Sequence, residues 1–300
     1  MTASALALST PAISSSIRGY IALTKPRVIS LLLVTTVPAM VVAHGGWPST
    51  WLVIATLVGG SLSAGGANAI NCWYDRDIDA VMRRTRGRPV VTGAIEPWRA
   101  LSFGIGLGAF AFAFLWATTT LAAAILALAA LLFYVFIYTI WLKRRTSQNI
   151  VIGGAAGAFP PMVGWAAVTG GLELAPWVMF AIIFFWTPPH FWALALRLEG
   201  DYTEAGVPML PVTNGAAFTR VQILRYTGVL VLVTLLLTPA AGLGAIYTGS
   251  ALVLGAVFAW QSYQLWHEPA TTPPIGLYKF SLLYLALLFV AMAVDVVVLP

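Results

Sequence analysis

Residues 121–145 read LAAAILALAALLFYVFIYTIWLKRR, an uncharged run closed by Lys143, Arg144 and Arg145. A helix needs about 20 apolar residues to cross the hydrocarbon core of a bilayer, so this stretch reads as a span that stops at an aqueous face. The pattern recurs at 28–44, 51–71, 101–117, 150–168, 175–196, 226–246, 250–266 and 280–299, which with 121–141 makes nine expected spans. Composition agrees: 60% of the 300 residues are hydrophobic and 9% charged, against about 25% charged in soluble domains. The expected fold class is all-α, a polytopic membrane protein.

The cations orient it. Arg18, Lys25 and Arg27 precede the first expected span, and Arg76, Arg83, Arg84, Arg86, Arg88 and Arg99 lie between the second and third. Lys143 to Arg145 follow the fourth, Arg197, Arg220 and Arg225 flank the loop after the sixth, and Lys279 opens the ninth. The opposite loops, such as 44–50 and 117–120, hold no Lys or Arg. By the positive-inside rule the N-terminus is cytoplasmic and, with nine spans, the C-terminus lies outside. The net charge of +6 is thereby explained by topology and contact with anionic lipid in the bilayer, and no nucleic-acid function is read from it. The single cysteine, Cys72, excludes an internal disulfide and any multi-cysteine metal site. Residues 1–17 carry no charge and are rich in Ala and Ser. They lack the features of a signal or transit peptide and are expected to be a disordered tail before one transmembrane domain, 18–300, in a bacterial-type inner (plasma) membrane.

Two cytoplasmic connections, 72–99 and 198–224, are long for a compact protein and hold seven of the ten acidic residues. Long loops of this kind are functional or disordered. Both follow even-numbered spans and leave the membrane in the same direction, so they are placed to face one another.

In the first, Asn71, Asp75 and Asp79 recur at i, i+4 and i+8, one face of a helix continued past the interface. Mg²⁺ favours one or two protein carboxylates and completes its octahedron with water and phosphate oxygens. The spacing therefore suits a metal-bound diphosphate better than a closed protein cage, and Mn²⁺ accepts the same ligands. Trp73 and Tyr74 put this point in the aromatic belt, where a charged head stays wet while a lipid-like tail enters the bilayer. The run 82–89, MRRTRGRP, supplies guanidinium forks for phosphate oxygens, with Arg83 and Arg88 the expected contacts. The bland alternative is that Asp75, Asp77 and Asp79 only neutralise neighbouring arginines.

The sixth span contains WTPPHFWALALR at 186–197. Paired prolines remove two donors and are expected to break or kink the helix beside a cavity. His190 is an intramembrane ionisable residue, a functional candidate by default, as contact or ligand for a large substrate; the alternative is a neutral histidine bonded to a neighbouring helix. Glu199, Asp201 and Glu204 form a second acidic patch that shares the metal or holds a second ion. Gly153 and Gly157 are spaced for a small-residue helix contact.

The NxxxDxxxD spacing at 71–79 resembles the first signature of the UbiA-type intramembrane prenyltransferase superfamily. Within it LTKPR at 23–27, the arginine run to Pro89, WLKRRTSQN at 141–149, GGAAG at 153–157 and PPHFWALA at 188–195 resemble the protoheme IX farnesyltransferase (haem O synthase) family, over about 20–290. The resemblance implies nine helices around a central cavity, farnesyl diphosphate as donor and haem B as acceptor. It implies Asn71, Asp75 and Asp79 as the first metal-diphosphate site, with Asp201 in the second. Lys25 and Lys143, inside the matching segments, join Arg83 and Arg88 as diphosphate contacts. The superfamily often has Asp four residues before the equivalent of Asp201; here that position is Arg197, which leaves Glu199 and Glu204 as further candidates.

The implied chemistry is departure of diphosphate, attack on the allylic cation by a porphyrin vinyl group, and capture of water. Phe191 and Trp192 would shield the cation, Trp192 beside the haem, and His190 or Asp201 would accept the proton. A haem A synthase or terminal-oxidase assembly partner for the product follows from the resemblance alone. Two rival readings remain: a related prenyltransferase acting on a quinone precursor, and a secondary transporter with broken helices.

Overall fold

The computed structural model describes residues 13–299, and every element among them is helical. Residues 1–12 of the expected tail lie outside the described residues, and Ile13–Thr24 form α1. There follow α2 (Pro26–His44), α3 (Thr50–Tyr74), the short α4 (Arg76–Val81), α5 (Pro97–Thr118) and α6 (Leu121–Leu132). α6 runs on as a π-helical segment, Phe133–Leu142, before α7 (Asn149–Gly153), α8 (Ala155–Thr169) and α9 (Leu174–Arg197). The chain ends with α10 (Glu199–Glu204), α11 (Leu210–Ala241), α12 (Ala245–His267) and α13 (Pro274–Val298).

Eight stretches among the described residues are long and apolar enough to cross a membrane: α3, α5, α6 with its π segment, α7 with α8, α9, α11, α12 and α13. They coincide with expected spans two to nine. The first expected span falls on α2, of which Val34–His44 is a shorter apolar helix among the described residues. Exposed Trp47, Trp51, Trp116 and Trp177 mark the end with few charges, and Trp98, Trp141 and Trp266 mark the basic end, the two belts of a multi-pass membrane protein.

Two expectations are corrected. The helix expected to start at 226 begins at Leu210, so α10 and the first turns of α11 replace most of the 198–224 loop. α11 is interrupted at Gly215 (φ 80°, ψ 163°), a backbone region that glycine alone enters freely. Nor do Pro188 and Pro189 break α9, which is one helix from Leu174 to Arg197. The Thr187 hydroxyl bonds back to the Ile183 carbonyl at 2.8 Å, and α9 is packed by α8, α11 and α13; protein on several sides lets a spanning helix carry prolines.

Helix contacts follow membrane rules, with small residues at the closest crossings. A Cβ on Gly66 of α3 would stand 2.8 Å from the Gly104 carbonyl oxygen of α5, so these backbones touch. Buried hydroxyls join the C-terminal helices: Thr227 to Ser262 at 3.0 Å, and Thr234 to Tyr284 at 2.8 Å. Asp295 is 1% exposed on α13 and accepts from the backbone amides of Gly244 at 2.5 Å and Tyr247 at 3.0 Å. It thus caps the N-terminus of α12 from a neighbouring helix, where free amides and the helix dipole favour an anion.

Asp295→Ala strips a buried partner from two amides and is expected to destabilise the protein by about 1–3 kcal/mol. A lower thermal midpoint in detergent, partly restored in Asp295→Asn, is the expected result.

Candidate active site

α3 ends at Tyr74 and α4 starts at Arg76, yet the amide of Asp75 bonds the Asn71 carbonyl at 2.9 Å and that of Asp79 bonds the Asp75 carbonyl at 2.8 Å. These i to i−4 bonds carry the helical path across the junction. Asn71, Asp75 and Asp79 therefore share one face, as their spacing predicts. All three are buried, Asp75 completely.

Each carboxylate has a cation. Lys143, from the end of the π segment, pairs with Asp75, and Arg88 pairs with Asp79. Asn71 donates to Asp75 Oδ2 at 2.7 Å and to Thr139 at 3.1 Å, and its own carbonyl accepts from Lys25 Nζ at 2.7 Å. Lys25 stands between α1 and α2 with φ 53°, the one non-glycine residue with positive φ among those described. Such strain persists where surrounding contacts over-determine it. Here Asn68 donates to the Thr24 carbonyl at 3.0 Å, and burial pushes the Lys25 ammonium down to about 8.

Arg144 works on the outer side of this array. It holds Asp77 by two bonds of 2.6 and 2.7 Å, lies 4.9 Å over the Tyr74 ring, and pulls the Asp77 carboxyl down to about 2.

The array forms the mouth of a cavity of about 440 Å³. Lys25, Asn71, Asp79, Arg84, Arg88 and Lys143 line its polar end; Gly60, Ala64, Ala127, Gly157, Phe159 and Leu285 line the apolar part. Above the mouth, Ile78 and Met82 of the connection after α3 pack with Tyr202, Val207 and Met209 of the connection after α9. The two connections do face one another, and Arg84 from one and Tyr202 from the other both line the cavity. Cation heads and phenols surround the head of a ligand, while the wall below suits a hydrocarbon chain.

The other expected site residues fall elsewhere. Arg83 and Arg84 are both exposed, and it is Arg84, with Arg88, that lines the cavity. Asp201 sits half-buried on α10 and does not line the cavity, whereas Tyr202 does. His190 and Trp192 do not line it either. The His190 ring is stacked between Trp186 (4.1 Å) and Tyr278 (4.7 Å), with Nδ1 2.7 Å from the Ser281 hydroxyl. Trp192 is 1% exposed in the core, edge-on to Tyr226 at 5.3 Å. Of that segment Trp186, Thr187 and Phe191 reach the cavity wall. The Gly153 and Gly157 expectation also divides: a Cβ on Gly153 would meet Tyr138 at 2.2 Å, and one on Gly157 meets nothing within 4 Å.

Several lining residues escaped the sequence reading. Asn68 lies one turn before Asn71 on the same helix face, so its spacing was a usable signal. Tyr134 and Tyr138 line the cavity from the π segment, where the Lys143 amide reaches back five residues to the Tyr138 carbonyl at 2.9 Å. π-helical turns are rare, cluster at functional sites, and have no composition that announces them.

Residues 32–288 match the UbiA prenyltransferase family. The protoheme IX farnesyltransferase of Clavibacter sepedonicus is 49% identical over 283 residues, covering 93% of this chain and 92% of that protein. Among solved structures, one concerning digeranylgeranylglyceryl phosphate synthase in membranes aligns with TM-score 0.78 at 17% identity, over 95% of this chain and 99% of that one. A UbiA homolog from Archaeoglobus fulgidus bound to GPP and Mg²⁺ aligns with TM-score 0.70 at 18% identity, over 94% and 100%. At such identities the structural likeness speaks for the fold alone.

His190→Ala removes a buried hydrogen bond and two ring contacts, while Trp186, the one of these rings on the cavity wall, keeps its hydrogen bond to the Ser281 carbonyl. It is expected to cost about 1–3 kcal/mol of stability, read as a lower thermal midpoint, while ligand affinity at the cavity stays within about twofold of wild type.

Proposed function

The chain belongs to the UbiA prenyltransferase family, and from this we propose that it transfers the farnesyl group of farnesyl diphosphate to a vinyl group of protoheme IX (haem B), with addition of water. The observation that carries the reading is the cavity itself, with half-buried Lys25, Arg88 and Lys143 and buried Asp79 at its polar end, fully buried Asp75 behind them, and an apolar wall below. The near 50% identity to a protoheme IX farnesyltransferase over almost the full length of both chains supports the donor and acceptor.

A divalent metal fits the mouth. Asp75 Oδ1 is a buried oxygen with no hydrogen-bond partner, 3.6 Å from the Arg144 guanidinium, and a bound metal would coordinate it. Among the described residues no group of three or more His, Cys, Asp or Glu stands ready to hold an ion unaided, in keeping with an ion that arrives with its diphosphate. Asn71, Asp75 and Asp79 would hold it, Mg²⁺ first and Mn²⁺ as a substitute. When bound it would neutralise charge developing on the departing diphosphate.

The protein's own groups do the rest. With no substrate, Lys143 and Arg88 neutralise Asp75 and Asp79. On binding of the diphosphate, Asp75 and Asp79 would be free to hold the metal, and Lys143 and Arg88, with Lys25 and Arg84, would hold the phosphate oxygens. Preorganised charge of this kind is the largest expected term in such a reaction. The bond between the allylic carbon and the diphosphate oxygen breaks, and a vinyl carbon of the porphyrin forms the new carbon–carbon bond. Water adds to the cation left on the porphyrin side chain, and its proton is released. Phe191, Trp186 and the Tyr134 and Tyr138 rings face the cavity, where aromatic faces favour positive charge and exclude premature water.

The basic loops beside this mouth support a cytoplasmic site in an inner (plasma) membrane. A haem A synthase or oxidase assembly factor is the proposed recipient of the product.

Purified protein given haem B, farnesyl diphosphate and Mg²⁺ should yield a haem whose mass has grown by one farnesyl group and one water, and EDTA should abolish it. Unchanged haem, with the donor consumed by a phenolic acceptor, would overturn the acceptor assignment. Asp79→Asn should lower turnover more than about 100-fold with little loss of folded protein. Its partner Arg88 is 24% exposed and can rehydrate, whereas Asp75→Asn would strand Lys143 at 13% exposure and also cost stability. Arg84→Ala should raise the KM for farnesyl diphosphate about tenfold, and Arg83→Ala should leave it near wild type.

A further inference from the structure

Two adjacent glycines on α3 have opposite surroundings. A Cβ on Gly59 would stand 2.4 Å from the Leu115 side chain of α5, so Gly59 is required by helix packing. A Cβ on Gly60 would meet nothing within 4 Å, and Gly60 lines the cavity. Helix packing gives no reason for a missing side chain there, and glycine inside a helix is less favourable than alanine. The space it leaves open belongs to the cavity.

Its depth can be placed from the helix. Asn71, Ala67, Ala64 and Gly60 all line the cavity from one face of α3, and at 1.5 Å per residue Gly60 lies about 16 Å below Asn71. A farnesyl group has twelve carbons in its main chain. At about 1.25 Å advance per bond, from ordinary bond lengths and angles, it reaches roughly 14 Å. Geranyl, with eight, reaches roughly 9 Å and ends near Ala64. With the diphosphate held at the Asn71 end, the third isoprene unit arrives at the level of Gly60.

We infer that Gly60 sets the length of prenyl chain the cavity accepts: the absent side chain is the room taken by the third isoprene unit of the donor. The inference rests on the farnesyl-transfer reading and names a specificity determinant within that site. A branched side chain at 60 fills this room and leaves the path of the first two units clear. Length selection by a wall is steric, so its effect falls on the longer donor and spares the shorter one.

The test compares kcat/KM for farnesyl and geranyl diphosphate, with haem B and Mg²⁺, in wild type, Gly60→Leu, Gly60→Ala and Gly228→Leu. Gly228 is exposed on α11, also has open space around it, and does not line the cavity. The expected result is a fall of at least tenfold in the farnesyl-to-geranyl ratio for Gly60→Leu, a smaller fall for Gly60→Ala, and an unchanged ratio for Gly228→Leu. A wild-type ratio in both Gly60 variants overturns the inference, whether their rates fall together or do not change. If Gly60→Leu gives no folded protein, the Gly60→Ala ratio decides by the same criterion. A wild-type protein that farnesylates no haem removes the underlying reading, an outcome separate from an unmoved ratio in an active enzyme.

Discussion

The pairing of two buried carboxylates with Lys143 and Arg88 is the constraint around which the site is organised. Asp75 and Asp79 are kept out of water, and a buried charge persists only if it is paired. Lys143 supplies the pairing from 68 residues along the chain, and Arg88 from nine residues beyond Asp79. The same contacts tie the end of α3, the connection after α4 and the end of the π segment into one wall. Lys25 adds the turn between α1 and α2 through Asn71. An array in which every anion already has a cation is stable without ligand, and it contains the groups a metal diphosphate requires.

The bundle supplies the rest of the geometry. Glycine contacts between α3 and α5 bring the helix carrying Asn71 close to its neighbour on one side, and its other face is left to the cavity. The π segment gives Tyr134 and Tyr138 to the wall and delivers Lys143 to Asp75. The apolar cluster of Ile78, Met82, Tyr202, Val207 and Met209 roofs the mouth with the connections after α3 and α9. A charged head and an isoprenoid chain thus meet one continuous surface that changes from cationic to apolar along α3.

Much of this was legible in the amino-acid order. Apolar runs located the spanning helices, because a bilayer imposes length and composition directly, and the spacing of Asn71, Asp75 and Asp79 predicted their shared face. Periodicity states which side of a helix a residue occupies and is silent about what packs there. His190 and Trp192 were therefore read as site residues when they face α11 and α13, and Arg83 was preferred to Arg84 in a run where four arginines look alike. The second acidic patch failed for a related reason: α10 places Tyr202, rather than Asp201, against the cavity. The early start of α11 was hidden because 210–225 is polar enough to read as loop.

The most direct measurement is a structure of the protein with Mg²⁺ and an unreactive farnesyl thiodiphosphate. The account predicts Asp75 and Asp79 turned to the metal, Lys143 and Arg88 on phosphate oxygens, and the isoprenoid chain running along α3 away from Asn71. Both carboxylate–cation pairs intact, with the diphosphate bound elsewhere, would contradict it.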